Sequence, residues 1–205
     1  MTSAKDILQK DPVLKPVIAS ITLGDVKPSK SPFTALVHSI LSQQLSTQSA
    51  AAILRRFQAH VPHPCQPASI LNISTQALRG MGLSGRKASY CHNIARHKQT
   101  NPRFWNGIHH HSDQEIIDEL TTITGVGIWT VQMLLIFNLD RPDVFPVGDL
   151  AIRQAMGRLY NIDVSQKESW PRLEDIARPW SPYRSIASRY LWAYRDALPA
   201  KRKNR

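Results

Sequence analysis

The chain has 205 residues, 42% hydrophobic and 20% charged, a composition ordinary for one globular domain or two lobes sharing a core. Lys and Arg number 26 against 15 Asp and Glu, a formal charge of +11, which exceeds solubility tuning and suits a partner carrying many phosphates. No apolar run approaches the roughly 18 residues of a membrane span, and "MTSAKDILQKDP" lacks the apolar core of a signal peptide. Two cysteines, Cys65 and Cys91, cannot make a four-thiolate cluster. The expectation is a soluble intracellular protein with reduced, buried thiols.

In chain order, almost every periodic segment reads as helix. "SPFTALVHSILSQQL" opens with Ser31 as N-cap and Pro32 at the first helical position. Its Phe33, Leu36, Val37, Ile40 and Leu41 recur at helical spacing and form a core-facing stripe. "TQSAAAILRRFQAH" repeats the pattern with Ile53, Leu54 and Phe57, and the proline-rich "HPCQP" ends it as a loop. "STQALRGM" reads as a further helix, and "GLSGRKASYCHNIARH" as a glycine turn leading into a basic one. "HSDQEIIDEL" carries a capping box, Ser112 with Glu115. "IWTVQMLLIFNL" is apolar nearly all round, the pattern of a helix buried at a domain centre.

Beyond it come "DLAIRQAMGRLY", the short "WPRLEDIARPW", and "SPYRSIASRYLWAYRDAL". In the last of these Tyr183, Ile186, Ala187, Tyr190, Leu191 and Tyr194 make the apolar stripe. Trp192 projects about 180° from it, at about 100° per residue. The terminal "AKRKNR" reads as a basic, disordered tail. No alternating run suggests a strand, so the expected class is all-α.

Between two of these helices lies "TGVG", Thr124 to Gly127. Gly125 and Gly127 admit backbone conformations closed to other residues and clear side chains from the bend. A helix leaving such a corner presents unpaired amides at the positive end of its dipole, which bind a phosphate oxygen without reading sequence. A plain αα-corner would look the same; the charge of +11 favours the phosphate. Asp149, after "FPVG" and before a helical run, is a candidate N-cap. "HHH" at 109–111 does not converge on one helical face, so no metal site is expected.

"LTTITGVGIWTVQMLLI" followed by "DVFPVGDLAIRQ" resembles the helix-hairpin-helix DNA glycosylases, in which the hairpin precedes a Gly/Pro-rich loop and a catalytic aspartate. "ILSQQLSTQSAAAI" and "GLSGRKASY" are also family-like, and within the superfamily the chain is most similar to 3-methyladenine DNA glycosylase II, the alkylbase-excising branch. The resemblance implies a bilobal helical fold: residues 1–35 plus 141–205 as one lobe, 36–140 as a helical barrel, the hairpin at about 113–138, and Asp149 in the cleft. It implies no iron–sulfur cluster, and makes the hairpin carbonyls a candidate site for a monovalent cation. The hairpin usually starts with proline, where this chain has Thr124.

The implied chemistry is hydrolysis of the N-glycosidic bond of alkylated purines in damaged duplex DNA, the first step of base excision repair. The Asp149 carboxylate would stabilise an oxocarbenium-like sugar. Bifunctional members carry a nucleophilic lysine two residues after the last hairpin glycine; Trp129 stands there, so no lyase step is expected. A flipped cationic base needs an aromatic slot, for which Trp129 and Trp192 are candidates, with Phe33, Met133 and Leu150 as further walls. Backbone gripping and plugging would fall to Thr124, Gly125, Val126 and Gly127, to Gln43, Gln44 and Ser46, and to Ser84, Gly85, Arg86 and Lys87. A monomer is expected, in cytoplasm and nucleoid or in a eukaryotic nucleus. Glycosylases for neutral lesions (ethenoadenine, hypoxanthine) and a non-catalytic DNA-binding module are the alternatives.

Overall fold

The computed structural model describes residues 3–26, 31–61 and 65–198, and no strand occurs among them. In chain order the helices are α1 (Ala4–Leu8), α2 (Leu14–Ser20), α3 (Pro32–Ser42), α4 (Thr47–His60), α5 (Pro67–Leu71), α6 (Thr75–Gly80) and α7 (Gly85–Thr100). They continue as α8 (Pro102–Asn106), α9 (Asp113–Thr121), α10 (Ile128–Phe137), α11 (Leu150–Tyr160), α12 (Trp170–Ala177) and α13 (Arg184–Ala197). The beginning of the "HPCQP" loop and the "AKRKNR" tail lie outside the described residues.

Most of the longer helices begin where a short polar side chain can accept from a first-turn amide. Ser31, Ser46, Ser84 and Asp149 do so for α3, α4, α7 and α11, and the Ser112–Glu115 capping box is complete on α9. Each such cap adds about 1 kcal/mol to its helix.

The chain divides into two compact units, residues 1–26 with 141–205, and residues 27–140. The first division therefore falls well before residue 35, and α3 lies whole in the second unit.

In the first unit α1 and α2 place Leu8, Leu14, Val17 and Ile18 in one core with Ile152 and Met156 of α11, Leu173 of α12, and Tyr190 and Leu191 of α13. Asp11 ties these pieces together. Its Oδ2 accepts from the Tyr160 hydroxyl at 2.6 Å and the Trp180 indole N–H at 2.9 Å, while its Oδ1 accepts from the amides of Val13 and Leu14. Burial, with the Asp11 carboxylate beside it, pushes the Tyr160 hydroxyl well above the usual phenol range. Arg184 at the start of α13 forks onto Asp143, with Nε to Oδ1 at 2.7 Å and Nη2 to Oδ2 at 2.9 Å.

In the second unit α3 is the central helix, packed on α4, α7 and α10. Phe33, Leu36, Val37, Ile40 and Leu41 are all fully buried, each contributing about 1.5–3 kcal/mol of transfer free energy. The Trp105 indole donates to His97 Nδ1 at 3.1 Å, which requires the ring hydrogen on Nε2, where Glu119 accepts at 3.0 Å. Cys65 and Cys91 are free and buried, and burial pushes their thiols up to about 11 and about 12.

The pattern of α10 departs from expectation. Val131, Leu134, Leu135 and Ile136 are buried, but Ile128, Trp129 and Phe137 remain 58%, 42% and 41% exposed. An all-round apolar helix was expected at a domain centre; here one side is core and the other lines open grooves.

Candidate nucleic-acid interface and acidic site

The corner between α9 and α10 is tight. The Val126 amide donates to the Ile123 carbonyl at 2.9 Å, Gly125 sits at φ +102°, and Gly127 caps α10 at φ −98°. The two glycines differ in what a side chain would meet. A Cβ on Gly125 would lie 2.1 Å from Cγ of Tyr90, so the bend rests directly on that ring. A Cβ on Gly127 would meet nothing and its φ is open to any residue, so neither strain nor internal packing explains it. What its missing side chain leaves accessible is the N-terminus of α10, which no side chain caps. An anion approaching the first turn of α10 would meet its backbone amides with no side-chain cap in the way.

Beside the corner, a cavity of about 550 Å³ is lined by Ser39, Ser42, Gln43 and Gln44 on one side and by Gly125, Gly127, Trp129 and Thr130 on the other. Gln43 Nε2 donates to Thr130 Oγ1 at 3.1 Å across it, and Gln44 follows with φ +55°. Met133 lines the neighbouring cavity of about 310 Å³, with Phe137, Ser39 and Ser42. Ser39 and Ser42, three residues apart on α3, therefore face both spaces. Sequence reasoning missed them; the signal was their place on the polar edge of an otherwise apolar helix.

The acidic site belongs to the other unit. Asp149 is 9% exposed, and its Oδ1 accepts from the Ile152 amide at 2.9 Å and from the Trp192 indole N–H at 3.0 Å. Both donors meet the same oxygen. The position of Trp192 off the main stripe of α13 thus has a cause: the half-buried indole turns its N–H toward the carboxylate that caps α11.

Other candidates are placed differently from their sequence-based roles. Phe33 is fully buried, edge-on to Trp105 with the Lys98 amine over its ring, so it is core and no pocket wall. Leu150 is 59% exposed at the first position of α11, an open surface. Val126 is 5% exposed and its amide is paired within the turn, so it supports the hairpin from inside.

Lys87 does not reach outward: its Nζ donates to the Leu41 and Gln43 carbonyls at 3.0 and 2.6 Å. Burial there also holds the amine below the usual lysine range. Arg86 is exposed, and Gly85 opens α7 with free space where a side chain would be. Ser84 and Ser46 are exposed and occupied as N-caps, accepting from the amides of Lys87 and Ser49 at 3.3 and 3.2 Å. Thr124 is exposed, with its carbonyl accepting from Asn93 Nδ2 at 3.1 Å. Among the described residues no group of three or more His, Cys, Asp or Glu side chains could hold a metal ion. No described helix is long and apolar enough to cross a membrane.

Residues 37–180 match the HhH-GPD superfamily of base excision DNA repair proteins. The chain is 31% identical over 171 residues to a putative DNA-3-methyladenine glycosylase, YfjP, of Bacillus subtilis, covering 79% of this chain and 58% of that protein. It thus spans little more than half of that relative's length. Among solved structures, DNA-3-methyladenine glycosidase from Bacillus halodurans is 30% identical, with a TM-score of 0.81 over 94% of this chain and 88% of that one. The 3-methyladenine DNA glycosylase Mag1 of Schizosaccharomyces pombe, solved in complex with abasic DNA, is also 30% identical, with a TM-score of 0.78 over 92% and 94%. With the helix-hairpin-helix corner in place and most of its length matched, the chain belongs to the HhH-GPD superfamily of base excision DNA repair proteins.

Proposed function

We propose that this protein is a monofunctional DNA glycosylase that hydrolyses the N-glycosidic bond of alkylated purines in duplex DNA and leaves an abasic site. The observation that carries the reading is the Asp149 carboxylate, nearly buried and held through Oδ1 by two donors. A carboxylate fixed in this way needs no reorganisation when positive charge develops on a sugar, the form of electrostatic help an oxocarbenium-like transition state uses most. A ring-alkylated purine already carries positive charge and departs without a strong general acid. Trp129, exposed beside the groove at the hairpin, offers an electron-rich face of the kind that attracts a flat cation.

The relatives support this substrate class by their names, and the abasic-DNA complex supports the product. In the bifunctional branch that the chain resembles, the Schiff-base lysine stands where this chain has Trp129, which supports a reaction without strand cleavage. The uncapped N-terminus of α10, with the basic excess of the chain, would hold the DNA backbone.

The test is release of free bases from DNA containing 3-methyladenine, 7-methylguanine, ethenoadenine or hypoxanthine. The wild type is expected to release the first two fastest, and Asp149→Asn to slow release by about 100-fold or more while duplex binding persists. Borohydride should trap no covalent complex. Unimpaired release by Asp149→Asn would remove the carboxylate from the mechanism, and no release from any substrate would leave a binding module.

A further inference from the structure

We infer that Lys87, Tyr90 and Asn93 are positioning residues: from one flank of α7 they lock the Gln43–Gln44 turn and the Thr124–Gly127 hairpin into a single preformed frame for the DNA backbone. The inference rests on the DNA-binding reading above.

The three residues are spaced three apart along the helix, which brings them to one side of it. Lys87 reaches the end of α3, where the Leu41 and Gln43 carbonyls would otherwise lack intrahelical partners, and donates to both at 3.0 and 2.6 Å. A cation at the negative end of a helix dipole is well placed electrostatically. Swinging that amine out to a phosphate would abandon both carbonyls. Immediately after Gln43, Gln44 adopts a left-handed conformation, which a non-glycine residue keeps only where its surroundings hold it.

One helical turn further along α7, the Tyr90 ring is the floor of the hairpin, filling the space a Gly125 side chain would need. One more turn on, Asn93 Nδ2 donates to the Thr124 carbonyl at 3.1 Å, and Arg96 Nη1 donates to Asn93 Oδ1 at 3.3 Å, orienting the amide. The Gln43 side chain closes the circuit by donating to Thr130 in the first turn of α10. Two segments some 80 residues apart in sequence are thereby tied to one rigid helix and to each other.

The frame and a direct phosphate contact predict different salt behaviour. Binding of the full chain to a duplex carrying an abasic-site analogue is measured from 50 to 200 mM KCl. Lys87→Met is expected to weaken binding about tenfold at every salt concentration, with the slope of log affinity against log salt unchanged, because no phosphate contact is lost. Amide hydrogen exchange should speed up at residues 42–46 and, through Gln43 and Thr130, at residues 124–130. Asn93→Ala, which removes the bond to the Thr124 carbonyl together with the Arg96 bond that orients it, should speed exchange at 122–127 and weaken binding. The double variant should lose less than the product of the two single losses. A slope flatter by about 0.9 in Lys87→Met would mean that the amine meets a phosphate directly, and would overturn the inference. So would unchanged exchange at both segments. A wild-type chain that fails to bind the duplex overturns the glycosylase reading and the inference with it, whereas the slope and exchange results bear on the inference alone.

Discussion

At the scale of single residues, the most consequential atom is Oδ1 of Asp149, because two donors from different elements converge on it. The Ile152 amide comes with the helix that Asp149 caps; the Trp192 indole comes from α13 and is the donor that a substitution can remove. Trp192→Phe keeps an aromatic ring and deletes the N–H. If the indole orients the carboxylate, single-turnover base release should fall about tenfold with substrate binding little changed, and stability should drop by about 1 kcal/mol. The opposite split, weakened binding at an unchanged chemical rate, would make Trp192 a stacking wall, the role its sequence position first implied. That first implication shows where reading a sequence stops. The missing stripe contact made Trp192 conspicuous, but which edge of the ring is used depends on its rotamer and on a partner 43 residues away.

At the scale of elements, the α9–α10 corner separates two kinds of glycine that look alike in sequence. Gly125→Ala forces a Cβ into the Tyr90 ring at φ +102° and should cost several kcal/mol, lowering the melting temperature. Gly127→Ala meets no atom at an ordinary φ, so its melting temperature should stay within a degree or two of wild type while affinity for duplex DNA falls. Loss of stability in Gly127→Ala at unchanged affinity would return the second glycine to a purely structural role. Helices with a hydroxyl or carboxylate cap and two or more turns of periodicity, such as α3, α4, α9 and α11, were legible from their residues alone. The short α1, α2 and α5 were not read from the sequence, because one or two turns give periodicity little to repeat and tertiary packing decides them. Lys87 was misread for a related reason: beside a glycine turn and an arginine it resembles a phosphate contact, and only the fold brings the end of α3 within its reach.

At the scale of the whole molecule, the excess of positive charge acts in two directions. Spread over 205 residues, a net +11 repels itself in the free protein and would attract the DNA backbone in the proposed complex. Added salt screens both effects, since the Debye length shortens to about 8 Å near physiological ionic strength. The free chain should therefore melt at a higher temperature in 200 mM than in 50 mM KCl. Its affinity for duplex DNA should meanwhile fall by about three orders of magnitude if roughly six phosphates are contacted. Both responses can be read on one preparation, by calorimetry and by anisotropy titration. The sequence-independent part of binding should carry nearly all of this salt dependence, so undamaged and abasic duplexes should give parallel log–log lines displaced by the contribution of the lesion. A steeper line for the abasic duplex would mean that the damage site recruits additional cationic side chains on binding. That result would contradict a preformed frame at Gln43–Gln44 and Thr124–Gly127.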